Sequence, residues 1–282
     1  MLAQTLFALS ALLPSGLMRG DTLAPATTQD LVSSLHPGEV LVLGELHDSE
    51  DHHRNQVRIL EGILKDRADR NADFPISVGF EFFERDTQET VDRYLGSELS
   101  EEQFLQEVRW SGGPYSGYRE QALFSRRSGG TTLALNAPRA LTSRIARVGI
   151  SGLTQAERSS LPEGFTLGND LYKERFTETM SGHASAEAIN RYFEAQSAWD
   201  ETMADTAARF LKEHPDHLLV VIVGDFHIAY GGGLPDRLRA RGVHVTTVSQ
   251  TRLAGSPEEA RRAELLPHPR YGARGDFIWD VP

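Results

Sequence analysis

Two short segments of this 282-residue chain end an apolar run in the same way, with a glycine, two further residues and a histidine. One reads Val42-Leu43-Gly44-Glu45-Leu46-His47 and the other Ile222-Val223-Gly224-Asp225-Phe226-His227. A third run, Val78-Gly79-Phe80-Glu81, ends on a carboxylate. Two imidazoles and two carboxylates are a ligand set for Zn²⁺, Mn²⁺ or Fe²⁺, and a ligand position left open would hold an activated water. Glu45, His47, Glu81 and His227 are therefore the expected metal ligands. They are also the candidate catalytic residues of a metal-dependent hydrolase in which one carboxylate acts as general base. His52 and His53 read first as part of a helix face, with His53 on its inward stripe.

Other chemistries find less support. The chain has no cysteine, which excludes disulfides, thiolate metal sites and thiol nucleophiles. No G-x-S-x-G elbow supplies a serine nucleophile. Gly231-Gly232-Gly233-Leu234-Pro235 is followed by neither a Lys-Ser/Thr pair nor G-x-G-x-x-G spacing, which argues against a phosphate cradle. Lys and Arg total 29 against 40 Asp and Glu, a net charge of −11 that repels polyanions, so no nucleic-acid partner is expected.

The two histidine loops lie far apart in the chain and can meet only if their strands are neighbours in a parallel sheet, whose C-terminal strand ends share one edge. Continuous apolar runs predict such strands at Glu39–Leu43, Ile76–Phe80, Thr131–Leu135, Leu218–Val223 and Val243–Val248, each buried on both faces. After the first strand, His53, Gln56, Val57, Leu60, Ile63 and Leu64 recur at helical spacing, with Glu50 and Asp51 placed for the helix dipole. The pattern predicts an α/β fold, a mostly parallel sheet flanked by helices, with a helical insertion sub-domain.

The expected organisation is an N-terminal segment over 1–37, a signal remnant or a helix, and the first part of the core over 38–97. A mainly helical insertion follows over 98–213 with one core strand at 131–135. The second part of the core covers 214–255, and the C-terminal tail 256–282 reads as a short charged helix followed by an irregular stretch holding Trp279 and packed back on the body. The apolar stretch Leu2 to Leu17 is shorter than the roughly 20 residues a spanning helix needs, and no Lys or Arg precedes Arg19. No transmembrane span is expected.

Within the insertion, Ile189, Phe193, Gln196, Asp200, Met203, Ala207 and Phe210 share one helical stripe. An unpaired carboxylate on such a face costs several kcal/mol. Asp200 is accordingly predicted to face the His47/His227 cleft and accept a ring N–H, with Gln196 beside it.

The blocks GELHDSEDHH with Gln56, FEFFERDTQ, LNAPR, EAQSAWDETMA and GDFHIAYGGGLP resemble, in order and spacing, the ChaN-like haem-binding uptake family of the Tiki superfamily. Relatives there include the Tiki peptidases and, more distantly, erythromycin-esterase-like hydrolases. The resemblance covers about Val40 to Gln250. It implies an α/β core with a helical sub-domain, a cleft at the strand ends, and haem or a divalent metal as ligand. It further implies bacterial iron acquisition at the cell envelope or periplasm, although a cysteine-free chain suits the cytoplasm equally. The alternative it carries is a metal-dependent hydrolase or peptidase acting on a small molecule or peptide. Carried over, the shared positions are Glu45, His47, Glu81 and His227.

This chain departs from the family in two respects. Without cysteine it cannot carry the lipid anchor of many members. Its last block has Asp225-Phe226 where the family has a small polar pair, so an extra carboxylate favours a hard or borderline cation and Phe226 is either core or a porphyrin-stacking ring. A haem reading requires an axial group. Tyr230 is the best phenolate candidate, because the glycines after it permit close approach, and Tyr118 is a weaker second; His227 is a further haem-binding candidate. Arg139 could pair with a ligand carboxylate or make a helix-start salt bridge. A haem shared across an interface would make a homodimer.

Overall fold

The computed structural model describes residues 15–281. Seven strands form one sheet: β1 (Gly16–Arg19), β2 (Val40–Glu45), β3 (Ile76–Glu84), β4 (Gly129–Asn136), β5 (Leu218–Gly224), β6 (Val245–Thr251) and β7 (Phe277–Asp280). Their order is β1-β7-β6-β2-β5-β3-β4. Every neighbouring pair is parallel except β1 with β7. The chain runs from β2 outward to β3 and β4, then returns to lay β5 between β2 and β3. It next places β6 on the far side of β2, so the strand order reverses at the centre of the sheet, where ligand crevices form.

Helices cover both faces, which is why β2 and β5 read as unbroken apolar runs. Leu41, Leu43, Val220 and Ile222 point to one face and pack with Ile59, Leu60 and Ile63 of α1 (Glu50–Asp69). Val40, Val42, Val221 and Val223 point to the other. There they meet Met203, Ala204, Ala207 and Leu211 of the long helix Ala186–Glu213. In chain order the remaining helices used below are α2 (Arg139–Val148), α3 (Asp170–Met180), α4 (the Ala186–Glu213 helix), α5 (Leu234–Ala240) and α6 (Glu258–Leu265). Ser49 starts α1 by accepting the His52 N–H, and Glu50 and Asp51 sit in its first turn. No helix among the described residues is long and apolar enough to cross a membrane.

Two ends of the chain differ from expectation. Most of the Leu2 to Leu17 stretch lies outside the described residues, and Gly16–Arg19, read as the close of a signal remnant or helix, is an edge strand. The tail after α6 is not irregular throughout, since Phe277–Asp280 enters the sheet between β1 and β6. A four-residue strand is too short for its period to be read.

Candidate functional site

The β2–β5 register sets Glu45 opposite Gly224, so the two histidine loops leave the sheet side by side. Both loop glycines are demanded by space. A Cβ on Gly44 would stand 2.6 Å from Ile228 Cδ1 and 2.7 Å from Asp225 Oδ1, both in the second loop. A Cβ on Gly224 would stand 3.0 Å from His47 Cε1 and 3.1 Å from Nε2, in the first. Each glycine therefore makes room for the other motif. Glu81 joins them because β3 pairs with β5 only as far as Phe80 and shifts register against β4 between Phe80 and Glu84. The irregularity frees Glu81 to turn toward β5, where its Oε2 accepts the Gly224 N–H at 2.6 Å.

His47 and Glu45 form the outer pair. His47 Nδ1 lies 2.9 Å from Glu45 Oε1, with the His47 side chain 49% exposed and Glu45 sealed. The hydrogen bond to Glu45 raises the His47 pKa above its ordinary value, against the opposing effect of burial. Three neighbours hold the carboxylate in place: Tyr118 donates its hydroxyl at 2.5 Å, Gln56 its amide at 2.5 Å, and His53 Nε2 stands 3.6 Å away. Nδ1–H is thereby committed to Glu45, and His47 Nε2 has no hydrogen-bond partner among the described residues.

His227 is the inner, buried partner. Its Nδ1 lies 2.7 Å from Asp200 Oδ1 and its Nε2 3.3 Å from Glu81 Oε1. Burial disfavours a charged ring here, yet the two flanking carboxylates outweigh it and raise the His227 pKa to about 10. Burial likewise works against Glu81, but the His227 and His47 charges and the Gly224 N–H hold it at about 2. Asp200 and Gln196 of α4 reach this ring, with Gln196 Nε2 3.1 Å from His227 Nδ1. Tyr172 of α3 completes the cluster, its hydroxyl donating to Asp200 Oδ2 at 2.9 Å and accepting from Gln196 at 3.1 Å. Nothing local in the sequence marks Tyr172, since α3 and α4 come together only through the fold.

Among the described residues no group of three or more His, Cys, Asp or Glu side chains is placed to hold a metal ion. Glu45, His47, Glu81 and His227 come together at the sheet edge, His47 paired with Glu45 and His227 with Glu81. Asp225 is no extra cation ligand, because Arg274 and Ser249 take its oxygens at 2.6 and 2.5 Å. Phe226 packs against Tyr172 and Phe176 as core.

The haem candidates are also separated. Tyr118 is buried, and its hydroxyl is bound to Glu45, with burial pushing its pKa far above the usual phenol value. Tyr230 lines a small cavity of about 210 Å³ beside α3, whereas His47 lines another of about 680 Å³. Arg139 makes no helix-start ion pair among the described residues and donates to Ser111 at 3.3 Å. His52 is buried and structural, its Nδ1 accepting the Leu46 N–H at 2.9 Å. The larger cavity runs along α1 from His47 and His53 past Val57 and Arg58 to the Pro114–Gly117 loop. His53 Nε2 is a buried atom without a hydrogen-bond partner, and burial lowers the pKa of its ring.

An α/β sheet with two G-x-x-H loops meeting at its central switch point, and a cavity opening beside them, places the chain in the doubly wound class, in which ligands bind in crevices of this kind. The sequence profile of the family described as "Haem-binding uptake, Tiki superfamily, ChaN" matches residues 31–238, and the chain belongs to that family. A solved structure described as "Cofacial heme binding to ChaN of Campylobacter jejuni" is similar, with TM-score 0.67, 17% identity, and 93% of this chain and 95% of that one covered. At that identity it shows a common fold. An erythromycin esterase mutant in its open conformation aligns with TM-score 0.46 and 12% identity over 81% of this chain and 76% of its own. No curated protein matches the sequence.

Proposed function

We propose that this protein binds haem in the cavity of about 680 Å³ beside α1, with the His47 imidazole as the group offered to the iron. The observation that carries the reading is the pairing of that cavity with an imidazole whose Nδ1–H is fixed on Glu45, leaving Nε2 for a ligand. The residues present fit such a group. His53 adds a second imidazole to the lining, Val57 adds apolar wall, and Arg54 and Arg58 supply cations for propionates. When bound, haem brings an iron centre whose axial position an imidazole can take. The protein's own work is to hold His47 in one tautomer through Glu45, which Tyr118 and Gln56 hold in turn.

Family membership supports the same reading, as does the heme binding described for the Campylobacter protein. A role in bacterial iron acquisition at the envelope belongs to this proposal. So does a homodimer that forms with haem, which size-exclusion chromatography with and without hemin tests. The binding itself is tested by hemin titration followed at the Soret band. The wild type should saturate at a fixed stoichiometry with a shifted band. His47→Ala should move the band and weaken binding about ten- to a hundredfold, the scale at which support of a metal ligand is felt, while Tyr230→Phe should change neither. A spectrum indistinguishable from free hemin, or one altered by Tyr230→Phe and not by His47→Ala, refutes the assignment.

A further inference from the structure

The smaller cavity, about 210 Å³, lies apart from the haem proposal and is lined, besides Asp236 of α5, by three stretches of chain. These are α3, the Ala229–Gly232 turn after His227, and the loop carrying Tyr271. Arg175 of α3 lies against it within an aromatic cage, its guanidinium carbon 4.2 Å from the Phe226 ring centroid, 5.3 Å from Tyr172 and 5.6 Å from Tyr230. One N–H donates to the Phe226 carbonyl at 2.8 Å. The fork has five N–H groups, and among the described residues no Asp or Glu lies within ion-pair distance of it. The contrast with Arg274 is plain, since that neighbour holds Asp225 at 2.6 Å and Glu264 at 2.9 Å. Burial accordingly pushes the Arg175 pKa below the usual arginine value, with only partial relief from Tyr172 and Asp225.

A second observation falls on the same cavity. Tyr230 adopts φ 62° and ψ 24°, the left-handed region that a tyrosine enters at a cost of about 1–2 kcal/mol. Three glycines follow it, yet the strained position holds a ring. That ring caps Arg175 on one side and meets Tyr271 at 5.7 Å on the other.

We infer that this cavity is a binding site for a small planar carboxylic acid with an aromatic body, whose carboxylate pairs with the Arg175 fork and whose ring packs in the cavity against the Tyr230 and Tyr271 side chains that line it. The guanidinium fork matches a carboxylate bidentately. A single unpaired cation suits a single negative charge, and Asp236, which also lines the cavity, opposes a dianion such as phosphate. The volume agrees with one ring, since an apolar cavity of roughly 150 Å³ accommodates benzene.

Isothermal titration of the full chain with benzoate, benzamide and inorganic phosphate tests the assignment. Benzoate should bind one per chain, at least tenfold tighter than the neutral isostere benzamide or than phosphate. Arg175→Gln should weaken benzoate at least tenfold and leave the hemin Soret titration unchanged. Arg175 also packs on Phe226, so its loss can unfold the chain; Tyr271→Trp, which fills the mouth, is the second variant. It should abolish benzoate binding without shifting the thermal unfolding midpoint. Benzamide or phosphate binding as tightly as benzoate, or benzoate binding undiminished by Tyr271→Trp, overturns the inference.

Discussion

At the scale of single residues the site rests on two glycines that make room for each other's neighbours. Replacing Gly224 by Ala sets a methyl 3.0 Å from His47 Cε1 and 3.5 Å from Glu81 Oε2. His47 has half its surface in solvent and can swing away. We therefore expect Gly224→Ala to cost about 1–3 kcal/mol, the usual range for overpacking, and to move the hemin Soret band as His47→Ala does. Gly44→Ala collides at 2.6–2.7 Å with the buried Ile228 and Asp225, which cannot move without loosening the Asp225–Arg274 pair. It should be the more destabilising of the two. Urea denaturation of both variants decides this, and equal midpoints would contradict the argument.

At the scale of elements, α4 is the part that couples packing to charge. It buries Asp200 beside His227 while the same helix buries Met203, Ala204 and Ala207 on the sheet. The His227 pKa is raised from 6.5 to about 10, so its stabilising contribution is complete below pH 6.5 and is lost as pH rises through about 10. The Glu81 pKa is depressed from 4.5 to about 2, so its contribution is complete above pH 4.5 and is lost as pH falls toward 2. For this cluster the unfolding free energy should plateau between pH 4.5 and 6.5 and decline on either side. Asp200→Asn removes one of the two carboxylates holding the proton on His227. Its ring should then titrate at lower pH by NMR, and the alkaline decline should become shallower in urea midpoints taken across that range. An unchanged His227 titration in the variant would show that Asp200 does not set it.

Much of this arrangement was legible before the structure. Five strands announced themselves as runs buried on both faces, and Asp200 betrayed its need for a partner by interrupting an apolar stripe. The two histidines were placed by their position at strand ends. What stayed hidden were relations made only by the fold. Tyr118 reaches Glu45 across 73 positions and Tyr172 reaches Asp200 across 28. Pairing of Glu81 with the Gly224 N–H depends on a register shift that no residue pattern signals. The four-residue strands β1 and β7 are shorter than any readable period.

For the whole molecule, β7 is the strand on which one side of the sheet depends. Phe277, Ile278, Trp279 and Val281 are all buried, and Asp280 accepts from Arg261 of α6 and from Thr251 of β6. Burial of each apolar side chain is worth about 1.5–3 kcal/mol, so the four together match most of the roughly 5–15 kcal/mol that stabilises a domain. Deleting residues 276–282 should therefore abolish cooperative unfolding or lower the urea midpoint severely. It should also cause aggregation through the bared edge of β6. A truncated chain with a wild-type midpoint would show that β7 is dispensable.

The pairing of β1 with β7 also sets a timetable. Gly16 lies opposite Asp280, so the first of the seven strands to be made has its sheet partner in the last of them. The five strands β2 to β6 can assemble around β2 and β5 before β7 is made, but β1 must wait for its partner. Such long-range closure is slow and leaves intermediates exposed. In this protein the beginning of the sheet is therefore the last part to be finished, and a chain stalled or cleaved late would carry an intact histidine site on a sheet still open along one side.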